Sequence, residues 1–279
     1  TTWIVIRDQL AVVPASWSVT YRFLLGGLTM MLVAAIRRES FNLGWAGLRF
    51  VTVLGLAQFV FNFNFVYRAE HHIASGLVAV IFALLFVANA GLGALFLKQR
   101  FTARFLVGSG IAVAGVALLF ANELRSDATS AAQTLTGIGL TLCGVLSAST
   151  ANVMQATDIA RRLPMAAMIG WGMLIGAALD GAFAWITVGP PVMEWRMGYI
   201  GGLAYLGVMA SALAFSLYFR IIRDIGPAKA AYSSVAIPVI AMVISTFAEG
   251  YHWTALAVVG GIVAMIGMIV ALSPGRAAN

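Results

Sequence analysis

Carboxamides interrupt an apolar run at Gln58, Asn62 and Asn64, and Gln58 and Asn62, four apart, share one helix face. Such groups can hydrogen-bond a substrate's ammonium or carboxylate, or tie neighbouring helices together. Both roles stay open for this pair. Asn152 and Gln155 form a second amide pair, after Ser147, Ser149 and Thr150. The hydroxyls bond back to their own helix, and the two amides are candidates for a cavity entrance. Tyr232, Ser233 and Ser234 precede Pro238. A proline at this point lacks the N–H that would bond the Ser234 carbonyl. That leaves either a hinge in a cavity wall or a kink satisfied by its own serines. His71 and His72 titrate near neutrality and read as interfacial loop histidines, His72 being the better cavity candidate. Phe82 and Phe86, four apart, with Tyr205, are candidates for an apolar wall. Arg22 and Asp180 are charges well inside apolar runs, and both read as structural.

Other chemistry finds no support in the spacing. No Cys, His or carboxylate cluster suggests a metal, and no Gly-x4-Gly-Lys-Ser/Thr run cradles a nucleotide, so no cofactor is expected. No His/Asp or Ser/Asp pair at helical spacing serves an intramembrane enzyme, so the chain is not expected to be one. Cys143 stands alone in an apolar run, where it reads as packing.

The elements that carry these residues are long and apolar. The 279 residues are 61% hydrophobic and 10% charged, with a mean hydropathy of +0.95. A soluble domain of this length could not cover its surface with so few charges. Residues 1–6 read as the end of a first helix that begins upstream. Nine further spans are expected near 17–36, 46–67, 73–97, 104–120, 135–157, 165–188, 198–219, 228–248 and 255–272. Each has about the ~20 residues needed to cross the hydrocarbon layer. With the first helix as span 1, this makes ten.

The charges alternate by side. The net charge is +7, but the cations sit at span ends rather than on one stripe, which argues against nucleic acid. The loops after even-numbered spans and the C-terminus hold Arg37, Arg38, Arg49, Lys98, Arg100, Arg104, Arg161, Arg162, Arg220, Arg223, Lys229 and Arg276. The loops after odd-numbered spans hold only Arg7, Arg68, Arg125 and Arg196. By the positive-inside rule the first set is cytoplasmic, and so are both termini.

The halves also resemble each other. Phe101-Thr102, Gly108 and Gly115 match Trp253-Thr254, Gly260 and Gly267 at a constant offset of 152. Ala83-Leu84-Leu85 matches Ala236-Ile237-Pro238 at an offset of 153. Spans 4 and 5 thus correspond to spans 9 and 10. Five spans per copy is odd, so the second copy enters the membrane from the other side. The expectation is an all-α membrane protein of ten transmembrane helices, built as two inverted five-helix repeats over 1–121 and 134–273. Secondary transporters recurrently use this plan, with a substrate site between the copies.

Residues 1–8 (Thr-Thr-Trp-Ile-Val-Ile-Arg-Asp), Ser18 to Arg22, and Ile225-Gly226-Pro227-Ala228-Lys229-Ala230 leading to Pro238 and Glu249 resemble a known family. It is the drug/metabolite transporter superfamily, in its ten-helix EamA-type branch, which includes bacterial amino-acid exporters of the YddG type. Leu85 and Gln99 depart from that pattern, where a proline and a glutamate are usual. The resemblance implies two five-helix bundles around a cavity lined chiefly by helices 1, 3, 4, 6, 8 and 9. It implies export of amino acids, aromatic or other apolar ones included, or of related metabolites, across a bacterial cytoplasmic membrane by alternating access. The alternatives are another small metabolite or a drug as cargo, or a non-transporting membrane scaffold. The expected partners are a small-molecule substrate and membrane lipid; monomer and homodimer both stay open.

Overall fold

Helices account for all the regular structure that the computed structural model describes, over residues 2–9, 13–99, 102–121, 128–230, 236–250 and 253–273. In order these are α1 (Thr2–Gln9), α2 (Ala15–Ile36), α3 (Gly44–Ala69), α4 (Ser75–Leu97) and α5 (Ala103–Phe120). Then come α6 (Ala128–Gln155), α7 (Met165–Thr187), α8 (Met197–Ile225), α9 (Ala236–Glu249) and α10 (Ala255–Leu272). Short helices Asp158–Arg162 and Pro227–Ala230 lie in connections. Among the described residues, 8 helices, α2 to α8 and α10, are long and apolar enough to cross a membrane. A helix suits a bilayer because it satisfies its own backbone groups where no water can.

The helices face outward with aliphatic stripes. Leu24, Leu28, Leu32 and Ile36 lie at four-residue spacing along α2, all exposed, and exposed Ile262, Ile266 and Ile269 follow at spacings of four and three on α10. Exposed Trp45, Trp185 and Trp195 sit at helix ends, where amphipathic rings favour the membrane–water boundary. α6 starts earlier than its hydrophobic length suggests, because the polar stretch from Ala128 continues the helix below the apolar run.

α5 and α10 pack backbone to backbone. A Cβ added at Gly108 would lie 2.2 Å from the Ala271 nitrogen, and one at Gly115 2.2 Å from the Ala264 nitrogen. Gly260 meets Leu119 and Gly267 meets Ala112 in the same way. As one residue number rises by a step the other falls by that step, so the helices run antiparallel. Small residues permit this approach, which gives van der Waals contact that lipid cannot replace. Thr102 caps α5 by accepting from the Phe105 N–H at 3.2 Å, and Thr254 caps α10 by accepting from the Ala257 N–H at 3.1 Å. α2 and α7 pair antiparallel too, with Gly27 against Leu174 and Gly170 against Met31, and each starts after a proline, Pro14 or Pro164.

Three helices depart from α geometry. α3 widens to a π segment over Leu56–Phe61, and α8 over Tyr205–Leu213. α4 is interrupted at Ala83 and Leu84, where the Leu84 N–H turns back to the Ile81 carbonyl at 2.9 Å. Departures of this kind in a membrane helix are tolerated where they are buried in protein or line a cavity.

Candidate functional site

The three irregular segments meet around one cavity of about 450 Å³. Its wall takes Thr2 and Ile6 from α1, Gln58, Asn62, Phe63 and Val66 from α3, and Phe82, Ala83 and Leu85 from α4. α6 adds Ala148 and Asn152, α8 adds Ala210, Ala214, Phe215 and Tyr218, and α9 adds Ile237, Ile240 and Ala241. These are the six helices that the resemblance implies, and α2 joins them through Arg22. The volume falls in the ~300–1,000 Å³ range of small-molecule sites, and mostly apolar walls with a few polar groups are their usual make-up.

The polar groups are placed by neighbouring helices. The Asn62 amide donates to the Gln58 carbonyl at 3.4 Å, a bond of the widened α3 turn, while Gln58 Oε1 and Asn62 Oδ1 have no hydrogen-bond partner. Asn152 donates to Asn89 Oδ1 at 3.2 Å, and Asn89 donates to the Pro227 carbonyl at 3.3 Å. That chain links α6, α4 and the connection before α9. Asn89 is fully buried and escapes sequence reasoning because a single amide in an apolar run has no periodic partner to mark its face.

Arg22 is 1% exposed. Its Nε donates to Ser211 Oγ at 2.8 Å, and its Nη2 donates to the Ala210 carbonyl at 3.4 Å. Both acceptors lie in the π segment of α8. The guanidinium carbon stands 4.4 Å from the centre of the Phe63 ring and 5.3 Å from that of Phe23. Desolvated cation–π contacts contribute about 2 kcal/mol. Nη1 has no acceptor in normal geometry, and none of the ion pairs among the described residues includes Arg22.

Asp180 belongs to a different cluster. Asn64 donates to its Oδ1, and Thr20 donates to its Oδ2 at 3.1 Å. Ser16 and Arg68 both donate to Asn64 Oδ1 at 2.8 Å. Asp180 is fully buried and does not border the cavity, so it ties α2, α3 and α7 together.

Of the residues singled out in the sequence, Gln58, Asn62, Phe82 and Asn152 come together on the cavity wall. Four others stand elsewhere. Phe86 does not share a face with Phe82, because the break in α4 rotates it into the α5 side, where its ring packs edge-on to Phe105 at 5.9 Å. Tyr205 opens the π segment of α8 and is exposed at 36%, on one face with Met209 and Leu213. The extra residue per turn brings Ala210, Ala214 and Tyr218 to the cavity instead. His72 is exposed in the connection between α3 and α4. Gln155 is buried and does not border the cavity; its amide reaches the Met168 sulfur at 3.8 Å. Tyr232, Ser233 and Ser234 lie outside the described residues. Pro238 falls in α9.

Outside the membrane helices, burial, His72 and Arg68 together hold the His71 imidazole below its ordinary pKa, burial having the largest effect. Among the described residues no group of His, Cys or carboxylates is arranged to hold a metal.

An all-helical membrane protein with irregular helices around an amide-bearing apolar cavity is a membrane transporter in form. The chain belongs to the EamA-like transporter family, whose profile matches twice, over residues 1–121 and 135–273. It is 22% identical over 254 residues to the protein PagO of Salmonella typhimurium, covering 90% of this chain and 81% of that one. It is 20% identical over 241 residues to YoaV of Bacillus subtilis, described as an uncharacterised transporter, covering 86% of this chain and 81% of that one. A solved crystal structure shares the fold with a TM-score of 0.72 at 17% identity, over 97% of this chain and 93% of its own.

Proposed function

We propose that this transporter exports amino acids with apolar or aromatic side chains, or closely related metabolites, across a bacterial cytoplasmic membrane by alternating access. The observation that carries the reading is the cavity: apolar walls from Phe63, Phe82 and Phe215 beside the amides of Gln58, Asn62 and Asn152. The apolar part receives a side chain and the amides receive the polar end of an amino acid.

The moving parts in this reading are two inverted five-helix repeats over 1–121 and 134–273. The 152-residue offset, the two matches of the family profile and the antiparallel meeting of Gly108 with Ala271 and of Gly260 with Leu119 support it. Rocking of one repeat against the other exposes the cavity to each side in turn. The excess of Lys and Arg after even-numbered helices supports cytoplasmic termini. The transport is secondary, driven by a substrate or ion gradient.

The test is uptake of a panel of radiolabelled amino acids into liposomes containing only the purified protein, with and without a pH gradient. Saturable flux of apolar amino acids is the expected result. No flux of any amino acid, with flux of another metabolite class, would remove the amino-acid assignment.

A further inference from the structure

We infer that Arg22 is the substrate's carboxylate anchor, so that cargo of this cavity must carry a free carboxylate and cations without one are rejected. The inference deepens the transporter reading and rests on it for the cavity's use.

The argument starts from charge. A guanidinium stays protonated in any protein environment, so Arg22 places a permanent positive charge on the cavity wall. The described residues bordering the cavity include no Asp or Glu. Among them Arg22 is the charge, and it sits among apolar walls where a charge is felt strongly.

The geometry leaves one nitrogen of the fork short of an acceptor. Ser211 Oγ accepts from Nε and the Ala210 carbonyl accepts from Nη2, both from the π segment of α8, while the guanidinium carbon lies over the Phe63 ring. Those contacts hold the guanidinium plane. Nη1 is buried without an acceptor in normal geometry, and the hydroxyl of Tyr67, fully buried and also without a partner, stands beside the guanidinium. A buried donor of a charged group without a partner is uncommon, and at a cavity wall the group that completes it is an anionic ligand. A carboxylate meets that need with a charge-assisted hydrogen bond. Gln58 Oε1, also without a partner, is an acceptor for an amine on the same ligand.

A purely structural Arg22 would tie α2 to α8 and be indifferent to cargo chemistry. The two roles separate by experiment. Purified protein in detergent is titrated with phenylalanine, 3-phenylpropionate, phenylalaninamide and phenethylamine, and its thermal unfolding is followed. The same four compounds compete for uptake in liposomes, with R22K and R22Q alongside. The expected result is that the two carboxylates raise the unfolding temperature and compete, and that the amide and the amine bind at least tenfold more weakly. R22Q raises the half-saturating concentration of phenylalanine at least tenfold, and R22K recovers part of the loss. Should R22Q fail to fold, the comparison of the four compounds on the unaltered protein still decides. Equal binding of phenylalanine and phenylalaninamide, binding of phenethylamine alone, binding of no carboxylate, or an R22Q protein with unaltered half-saturation would each overturn the inference. Flux of amino acids with any of those results leaves the transporter reading standing. Binding of 3-phenylpropionate without any amino-acid flux removes the amino-acid reading and leaves the anchor.

Discussion

Asn64 on α3 donates its side-chain amide to the Asp180 carboxylate on α7, and the contact is fully enclosed. Thr20 adds a second donor from α2, and Arg68 sits one bond away through Asn64. The carboxylate is therefore a joint between three helices rather than a group on the substrate path. Replacing Asp180 with Ala removes the acceptor of the Asn64 side-chain amide and leaves that buried donor unpaired. The expected loss is about 1–3 kcal/mol of stability, the cost of leaving a buried polar group unsatisfied. Thermal unfolding in detergent measures it. The pH dependence of transport, read on the folded fraction, should not change, and its abolition would assign Asp180 to proton coupling.

The α5–α10 seam makes a sharper structural prediction. Gly115→Leu must push the helices apart, since even a Cβ would lie 2.2 Å from the Ala264 nitrogen. Overpacking of this kind costs roughly 1–3 kcal/mol or more. Gly110, on the same helix, has nothing within 4 Å of an added Cβ. Gly110→Ala should stabilise by about 0.5–1 kcal/mol through helix propensity. Unfolding curves of the two variants should move in opposite directions.

The two threonine caps are expected to behave alike. Thr102→Ala and Thr254→Ala each remove the acceptor for one N–H in the first turn of a helix. Each should cost about 1 kcal/mol. The double variant should be additive, because the caps serve different helices.

His71 gives a pH effect of defined sign. Its folded-state pKa is lowered, chiefly by burial and then by His72 and Arg68. The unfolded chain therefore binds a proton more readily than the folded one. The contribution to stability is present above the ordinary histidine value of about 6.5 and is lost as pH falls through the lower folded value. Solvent screening keeps it small. His71→Gln should flatten that part of the acid destabilisation, which a pair of unfolding series between pH 7 and pH 5 would show.

Much of the fold is legible in the chain, and the reasons are particular. Span length and the alternation of Arg and Lys locate the helices because lipid imposes both. Gln58, Asn62 and Asn152 stand out because an amide in an apolar run needs a reason to be there. What hydropathy does not encode is backbone register. Phe82 and Phe86 share a face only in an unbroken helix, and α4 breaks between them. Tyr205 misses the cavity for the same kind of reason, since a π segment shifts the phase of α8. Arg22 reads as structural because the resemblance leaves helix 2 out of the cavity lining. Only the Ala210 carbonyl and Ser211, far along the chain, reveal that the guanidinium borders the cavity.

The central claim is that the cavity between α1, α3, α4, α6, α8 and α9 is the route of transport. The most direct test is exchange of labelled phenylalanine across liposomes holding the purified protein, compared with an Ala148→Trp variant. Ala148 is 2% exposed and borders the cavity, so an indole there takes up cavity space. The account predicts saturable exchange by the unaltered protein and its loss in a variant that is still folded by size-exclusion chromatography. Exchange at an unchanged rate through the filled cavity would contradict it.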